Sequence, residues 1–138
     1  MKKVIVLGAP ADQGIPLVGA LKARGLAVTA GVRRPGAMAA TVHPEVPEVP
    51  ADIYDIASLT AAFAGHDALA MHLPFEFDRP RAATMGRNIA EAARIAGLKK
   101  IVFNTSCFVA DRDLALSAHD GRRDIERAIH DSGVPYVI

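Results

Sequence analysis

The sequence predicts an α/β fold built on a parallel, doubly wound sheet of about six strands, with helices on both faces. Short apolar runs that suit buried strands recur along the 138 residues, and segments of helical periodicity separate them. The connections are short, as expected for the crossovers of a parallel sheet. The first apolar run, residues 4–7, leads directly into Gly8, and helical periodicity begins near Gly14.

Composition limits the classes of protein to consider. With 51% hydrophobic and 22% charged residues, the chain is typical of one soluble domain. A net charge of +1 provides no field that would attract nucleic acid or an anionic membrane, so neither is expected as a partner. The apolar stretch after Lys2 and Lys3 is too short for a signal peptide or a membrane span. A single cysteine excludes an internal disulfide and favours the reducing cytoplasm.

The turn between the first strand and the first helix predicts a phosphate site. A helix start leaves unpaired N–H groups, and the helix dipole adds positive potential there. Glycines allow the close approach of backbone to the pyrophosphate of a dinucleotide. The usual pattern has a third, middle glycine, which is alanine here, and both glycines also have a purely conformational explanation. The candidate cofactor-binding residues of the turn are Gly8, Pro10, Ala11, Asp12, Gln13 and Gly14.

The next two elements predict which dinucleotide binds. A helix is expected over residues 13–24, ended by Gly25 in a left-handed conformation, and a strand over residues 26–32. That strand stops at Arg33 and Arg34, where an acidic residue would suit the ribose of NAD and an arginine suits the 2′-phosphate of NADP. NADP(H) is therefore preferred as the cofactor, with NAD(H) as the alternative. The competing interpretation is that both arginines are simply solvated.

The third strand is expected to be short or at an edge. Three prolines interrupt the region, so a strand fits only around residues 46–49. The chain then passes the expected adenine position, where Asp52 and Ile53 are candidate contacts. Asp55 is expected to cap a short helix that opens at Ser58.

The fourth strand, residues 67–73, is expected to carry cofactor contacts at its carboxyl end. Ligands of open α/β sheets bind there, so His72, Leu73 and Pro74 are candidates. His72 has two interpretations, a hydrogen bond to a ribose or a catalytic role. A long helix over residues 79–96 has a face of small residues, which suits packing on the sheet, on a second helix, or on a partner such as a second copy of the chain.

The fifth strand, residues 100–105, ends in Asn104, Thr105 and Ser106, which are candidate contacts for the nicotinamide ribose or the substrate. Their hydroxyls have an equally good explanation as partners of strand-end backbone groups. Cys107 is interpreted as a small apolar filler rather than a nucleophile. A helix is expected around residues 121–132 and a sixth strand from residue 134. The five histidines are scattered, so no metal site is expected.

Several segments share their order and spacing with one known family. They are residues 8–14 (GAPADQG), 32–35 (VRRP), 51–55 (ADIYD), 58–59, 65–68 (GHDA), 88–97, 124–126 and 132–138. Together they resemble the NAD(P)-binding half of NmrA-like, atypical short-chain dehydrogenases/reductases. The resemblance implies a Rossmann-type fold, a nicotinamide dinucleotide and a small-molecule substrate. It also implies that residues 1–138 form the NAD(P)-binding domain and stop before the usual C-terminal substrate-binding region.

The chain departs from that family at functional positions. Pro10 and Ala11 replace a threonine and a glycine of the usual turn, which removes one N–H and one hydroxyl. The Tyr-x-x-x-Lys pair of the wider superfamily is also missing, because Ala118 stands at the tyrosine place and Arg122 at the lysine place. Catalytic residues therefore stay unassigned, and Arg122 is a candidate cofactor contact. His119 is interpreted as a solvent-exposed histidine ahead of the last helix.

Two functions fit these observations. The first is an NADP(H)-dependent oxidoreductase of the quinone or carbonyl type, in which the cofactor supplies hydride and the protein binds and orients. The alternative is a cofactor-sensing regulator without turnover, which acts on a protein partner. A purely structural protein would be preferred only if no cofactor bound.

Overall fold

The computed structural model describes residues 2–138 as one parallel sheet flanked by helices. Its strand order is β3-β2-β1-β4-β5-β6, and every neighbouring pair is parallel, so the predicted doubly wound sheet is confirmed. The strands are β1 (Lys3–Leu7), β2 (Ala27–Val32), β3 (Glu48–Pro50), β4 (Ala68–His72), β5 (Lys100–Asn104) and β6 (Tyr136–Val137). The helices are α1 (Gly14–Ala23), α2 (Ile56–Phe63), α3 (Arg79–Ile95) and α4 (Ser117–Asp131).

The sheet separates two hydrophobic cores, and successive side chains of β1 point alternately into one and the other. Val4 and Val6 point to the face covered by α1 and by the irregular connection between β2 and β3. Ile5 and Leu7 point to the opposite face, which α2, α3 and α4 cover. Because successive strand residues face opposite sides, a sheet with two covered faces needs an apolar residue at every position of a central strand. The uninterrupted run of residues 4–7 satisfies that requirement.

Local signals located several elements correctly. β3 is a three-residue edge strand, as the prolines predicted, although it covers Glu48–Pro50 and not residues 46–49. Asp55 accepts hydrogen bonds from the N–H groups of Ala57 and Ser58, which confirms the predicted cap, although α2 begins two residues before Ser58. Gly25 has φ +74°, as expected for a left-handed residue after α1.

The last helix starts earlier than predicted. α4 begins at Ser117 and not near residue 121, so the expected start was wrong by four residues. No side chain caps its N-terminus at Leu116. Instead, the carboxylate of Asp120 accepts hydrogen bonds from the N–H groups of Leu114 and Leu116, which ties the preceding segment to the first turn. The start is therefore stabilised from inside the helix, where the usual start signals do not apply.

The face of α3 that holds Met85, Ile89, Ala92 and Ala93 packs into the core with residues of the sheet, and other small residues of α3 pack against α4. A Cβ added to Gly86 would lie 2.8 Å from the Cα of Ile125, and one added to Gly121 would lie 2.8 Å from the Cβ of Ala82. The two helices therefore approach as closely as glycine permits. A second copy of the chain or another partner would need a different surface. None of the helices in residues 2–138 is both long and apolar enough to cross a membrane.

Candidate cofactor-binding site

A cavity of about 370 Å³ lies outside the carboxyl ends of β1, β2 and β4. β1 and β4 are the two strands between which the order of the sheet reverses, and ligands of open α/β sheets bind at this reversal. The predicted site residues that line the cavity are Gly8, Pro10, Arg33, Arg34, Asp52, Ile53, His72, Leu73 and Pro74.

Both glycines of the first turn are required by packing. Gly8 has φ +80°, and a Cβ there would lie 2.2 Å from the backbone oxygen of His72. A Cβ on Gly14 would lie 1.9 Å from the backbone oxygen of Gly8. The glycines therefore let the turn close against β4 and let α1 start directly beneath it, so their conformational role is real whether or not a phosphate binds.

Two N–H groups of the turn, next to the start of α1, have no internal partner in the described chain. The N–H of Ala11 donates to the oxygen of Gly8, and the oxygen of Ala11 accepts from Gly14 and Ile15. The N–H groups of Asp12 and Gln13 have no acceptor within residues 2–138. Donors at the start of a helix, near the positive end of its dipole, are suited to a phosphate oxygen. Although Pro10 has no N–H to donate, the N–H groups of Asp12 and Gln13 remain available to a phosphate.

Arg33 and Arg34 stand at the carboxyl end of β2, on the wall of the cavity. Both side chains are exposed, and neither forms an ion pair with an acidic group of the described chain. Their positive charges are therefore available to an anionic ligand. A guanidinium matches a phosphate through paired hydrogen bonds, which an acidic residue at this place could not provide.

Hydrogen bonds fix the backbone of the segment after β3. The N–H of Asp52 donates to the hydroxyl of Ser58 at 3.0 Å, and the carboxylate of Asp52 accepts from the N–H of Tyr54 at 2.9 Å. The oxygen of Ile53 accepts from the amide of Asn88 at 3.2 Å. Tyr54 also lines the cavity, which sequence reasoning did not predict. Its place directly after Asp52 and Ile53 was the available signal.

The surroundings of His72 favour the neutral form of its imidazole. Burial lowers the pKa of its imidazole, and the positive charge of Arg122 lowers that pKa further. A neutral ring on the cavity wall can donate one hydrogen bond and accept another. This chemistry is compatible with both interpretations of His72 from the sequence.

The candidates Asn104, Thr105 and Ser106, at the end of β5 and directly after it, do not line the cavity. The amide of Asn104 donates to the side-chain oxygen of Gln13 at 2.7 Å, and the hydroxyl of Ser106 donates to the same oxygen at 3.4 Å. These contacts join the start of α1 to the end of β5. The hydroxyl of Thr105 donates to the backbone oxygen of Cys107, so it satisfies a strand-end group. Asn104 and Ser106 keep the polar character that a ribose contact requires.

Arg122 lies on α4 and is only 2% exposed. Its Nη2 donates to the backbone oxygen of Leu73, and the ring centroid of Phe75 lies 4.3 Å from its Cζ. Its Nε and Nη1 are buried and have no acceptor within the described residues. Burial lowers the pKa of this guanidinium. Buried polar groups are almost always hydrogen-bonded, so these two unpaired nitrogens are exceptions within the described residues.

Two side chains near this site differ from prediction. Cys107 is exposed, so its interpretation as an apolar filler was wrong, because β5 ends at Asn104 and the chain then leaves the core. His119 lies inside the first turn of α4 with its side chain 14% exposed, so it is not a solvent-exposed residue ahead of the helix. Its Nε2 accepts a hydrogen bond from the N–H of Ala110 at 2.9 Å. Within residues 2–138, no cluster of three His, Cys, Asp or Glu side chains could hold a metal ion.

Comparison with known families identifies the type of protein. The profile of a family described as NAD(P)H-binding matches residues 8–138, which includes the whole cavity except Leu7. The chain belongs to this NAD(P)H-binding family. A nicotinamide dinucleotide is therefore the ligand class of the family, and the predicted Rossmann-type recognition is confirmed at this level. Comparison with curated protein sequences gives no match.

Solved structures of the same fold include oxidoreductases. Triphenylmethane reductase from Citrobacter sp. superposes with a TM-score of 0.83 at 25% identity, over 97% of this chain and 47% of its own. A structure of that reductase complexed with NADP(H) gives a TM-score of 0.81 at 24% identity, over 96% and 47% of the two chains. An NADPH-dependent quinone oxidoreductase from Escherichia coli, complexed with NADPH, gives 0.77 at 25% identity, over 96% and 46%. The chain thus spans just under half the length of these proteins.

Proposed function

We propose that the chain is the cofactor-binding part of an NADP(H)-dependent oxidoreductase of the NmrA-like, atypical short-chain type. The observation that carries this proposal is the cavity at the sheet reversal, with two exposed and unpaired arginines at the end of β2. The substrate is a small quinone or carbonyl compound, and the protein acts in the cytoplasm. Membership of the NAD(P)H-binding family supports the cofactor class.

The adenosine half of the cofactor is assigned to the first three strands. Gly8, Ala11 and Gly14 shape the turn, and the N–H groups of Asp12 and Gln13 bind the pyrophosphate, with Pro10 on the wall beside them. Arg33 and Arg34 bind the 2′-phosphate, which gives the preference for NADP(H) over NAD(H). Asp52 and Ile53 border the adenine. The free donors and the free positive charges fit an anionic dinucleotide.

The nicotinamide half is assigned to the ends of β4 and β5. His72, Leu73 and Pro74 form one wall of the cavity, and Asn104, Thr105 and Ser106 stand beyond it, at the end of the neighbouring strand β5. The two unpaired donors of Arg122 are assigned to an oxygen of the cofactor in this half. A buried guanidinium lacking an acidic partner gains most from such an oxygen, since its hydrogen bonds are otherwise unmade.

The role of this chain in the reaction is to bind and orient the cofactor. A nicotinamide cofactor supplies the hydride when bound. Ala118 stands where the wider superfamily has a tyrosine acid, so this chain does not provide that proton donor, and a quinone or carbonyl product takes its proton from water. Arg122 retains a positive charge at the lysine place, although a guanidinium stays protonated where an ammonium can titrate. The reductases with this fold support an oxidoreductase.

The second candidate function is a cofactor-sensing regulator without turnover. The missing tyrosine favours it, because a protein that only reports cofactor occupancy needs no acid. In that case the ligand is still NADP(H), and the consequence of binding is altered contact with a protein partner. The two functions therefore share a binding site and differ in whether NADPH is consumed.

The test is a calorimetric titration with NADPH and with NADH, followed by NADPH oxidation assays with a panel of quinones and carbonyl compounds. Tight binding of NADPH, weak binding of NADH and substrate-dependent oxidation are expected. Saturable binding without turnover on any substrate would favour the regulator. Failure of both dinucleotides to bind would overturn the proposal.

A further inference from the structure

Three side chains form a polar bridge beside the adenine end of the cavity. The hydroxyl of Tyr54 donates to Oε2 of Glu76 at 2.9 Å, and Nε of Arg81 donates to the same oxygen at 3.3 Å. The guanidinium carbon of Arg81 also lies 4.6 Å from the ring centroid of Tyr54. We call this group the Tyr54–Glu76–Arg81 bridge.

The bridge joins two walls of the cavity that are distant in sequence. Tyr54 belongs to the segment after β3, whereas Glu76 belongs to the segment after β4 and Arg81 to the first turn of α3. Tyr54 and Pro74, two residues before Glu76, both line the cavity. The bridge therefore sets the separation between the segment that borders the adenine position and the segment that follows His72.

Further hydrogen bonds hold each side of the bridge. Oε1 of Glu76 accepts from the N–H of Asp78 at 3.0 Å, which fixes the carboxylate. On the other side, the N–H of Tyr54 donates to Asp52, and Asn88 donates to the oxygen of Ile53. The Tyr54 ring is consequently fixed at both its backbone and its hydroxyl. Tyr54 as a residue is 37% exposed, so it keeps surface that a ligand can cover.

The protonation states favour the bridge at neutral pH. The N–H of Asp78 and the Tyr54 hydroxyl lower the pKa of Glu76, so the carboxylate is charged. Partial burial and the nearby Glu76 raise the pKa of Tyr54, so its hydroxyl keeps the proton that it donates. An exposed ion pair alone contributes little to stability. Holding an aromatic wall in place before binding is a different effect, since it removes an ordering cost from ligand association.

We propose that the Tyr54–Glu76–Arg81 bridge positions the Tyr54 ring as a wall for the adenine base, which makes it an affinity determinant for the adenosine half of the cofactor. Tyr54 contacts the base, and Glu76 and Arg81 are positioning residues. Aromatic rings bind nucleobases through stacking that does not depend on the identity of the base. The proposal rests on the dinucleotide site described under Proposed function.

The test compares calorimetric affinities for NADPH and for adenosine 2′,5′-bisphosphate, a probe of the adenosine half alone. The variants are Tyr54→Phe, which keeps the ring and loses the anchoring hydroxyl, and Glu76→Gln, which keeps the shape and loses the charge. Glu91→Gln is the control, because Glu91 forms a comparable ion pair with Arg94 on the same helix and does not line the cavity. Both bridge variants are expected to bind both ligands about three- to tenfold more weakly, as for loss of one net hydrogen bond, and the control to bind like the parent.

Three outcomes would overturn the proposed role of the bridge in binding. Equal affinities in parent and variants would show that the bridge has no effect on binding. A loss for NADPH without a loss for the bisphosphate would place the effect on the nicotinamide half. A lower denaturation temperature with unchanged affinities would make the bridge purely structural. If the parent bound neither ligand, the proposed function itself would fail, and the bridge with it.

Discussion

Arg122 donates a hydrogen bond to the backbone oxygen of Leu73, which ties the middle of α4 to the residue that follows β4. The same guanidinium leaves two buried donors without partners in the described chain. A buried charge without an acidic partner costs stability, because its hydration is only partly replaced. The arrangement therefore lowers folding stability and leaves two buried donors without partners in the described residues.

Arg122→Met is expected to leave the free energy of unfolding unchanged or higher, while NADPH affinity falls. Methionine has a similar length and no buried charge to desolvate. The lost hydrogen bonds from a charged donor correspond to about 1.5–3 kcal/mol, or roughly tenfold to a hundredfold in affinity. Urea denaturation and NADPH titration measure the two effects. Arg127→Met, on an exposed position of the same helix, should change neither, and parallel losses of stability and affinity in Arg122→Met would contradict the assignment.

Arg33→Ala is expected to weaken NADPH binding by about 1–3 kcal/mol, roughly fivefold to more than a hundredfold, through loss of a charged hydrogen bond to the 2′-phosphate. NADH lacks that phosphate, so its affinity should stay the same. Calorimetry with both dinucleotides measures the difference. Arg24→Ala is the control, since Arg24 is exposed at the far end of α1 and its side chain bonds only to the oxygen of Ala20. Equal NADPH affinity in Arg33→Ala and the parent would remove the basis for the NADP(H) preference.

Gly14→Ala is expected to destabilise the fold by about 3 kcal/mol or more, because its Cβ would lie 1.9 Å from the backbone oxygen of Gly8. Gly19→Ala in the same helix is the matched control. Its Cβ would meet only the imidazole of His43, at 3.1 Å, and alanine favours the helix by about 0.5–1 kcal/mol. Denaturation curves of the two variants should therefore differ clearly. Similar midpoints would mean that the first turn relaxes easily.

Asp67→Asn is expected to remove a pH-dependent part of the stability. The carboxylate of Asp67 accepts from the N–H groups of Lys2 and Lys3 and from the ammonium of Lys99, which hold its pKa well below the usual range. A depressed folded pKa stabilises the protein above the unfolded value of about 3.9, and the contribution is lost as the pH falls below it. Urea denaturation at pH 7, 4 and 3 should show the parent's advantage over Asp67→Asn shrinking with pH. Asp111→Asn, on an exposed acid, serves as the control, and an advantage that is the same at all three pH values would contradict the linkage.

Sequence reasoning succeeded where the cause of a structure is local. The apolar run before Gly8 predicted β1, since a central strand with two covered faces needs apolar residues throughout. The prolines near residue 47 predicted a short edge strand, because proline cannot donate to the ladder. Asp55 was found as a cap from its position ahead of a short helical pattern. Each of these signals acts within a few residues.

Reasoning from sequence failed at three places, for different reasons. The start of α4 was missed because Asp120 stabilises it from within the helix. Cys107 was expected to be buried, whereas the end of β5 leaves it exposed. The pairing of Tyr54 with Glu76 was overlooked because the two residues lie 22 positions apart. No local sequence pattern indicates a contact between residues so far apart.

The doubly wound sheet, the glycine turn after β1 and the arginines after β2 can all be read from the chain, because spacing and residue type set these features along it. The burial of Arg122 beside Leu73 and the contacts of Gln13 with Asn104 and of Tyr54 with Glu76 follow from the folded arrangement of the chain. Charged and polar side chains are expected at the surface by default. They become buried or paired here because the carboxyl ends of parallel strands bring segments from the whole length of the chain to one edge of the sheet.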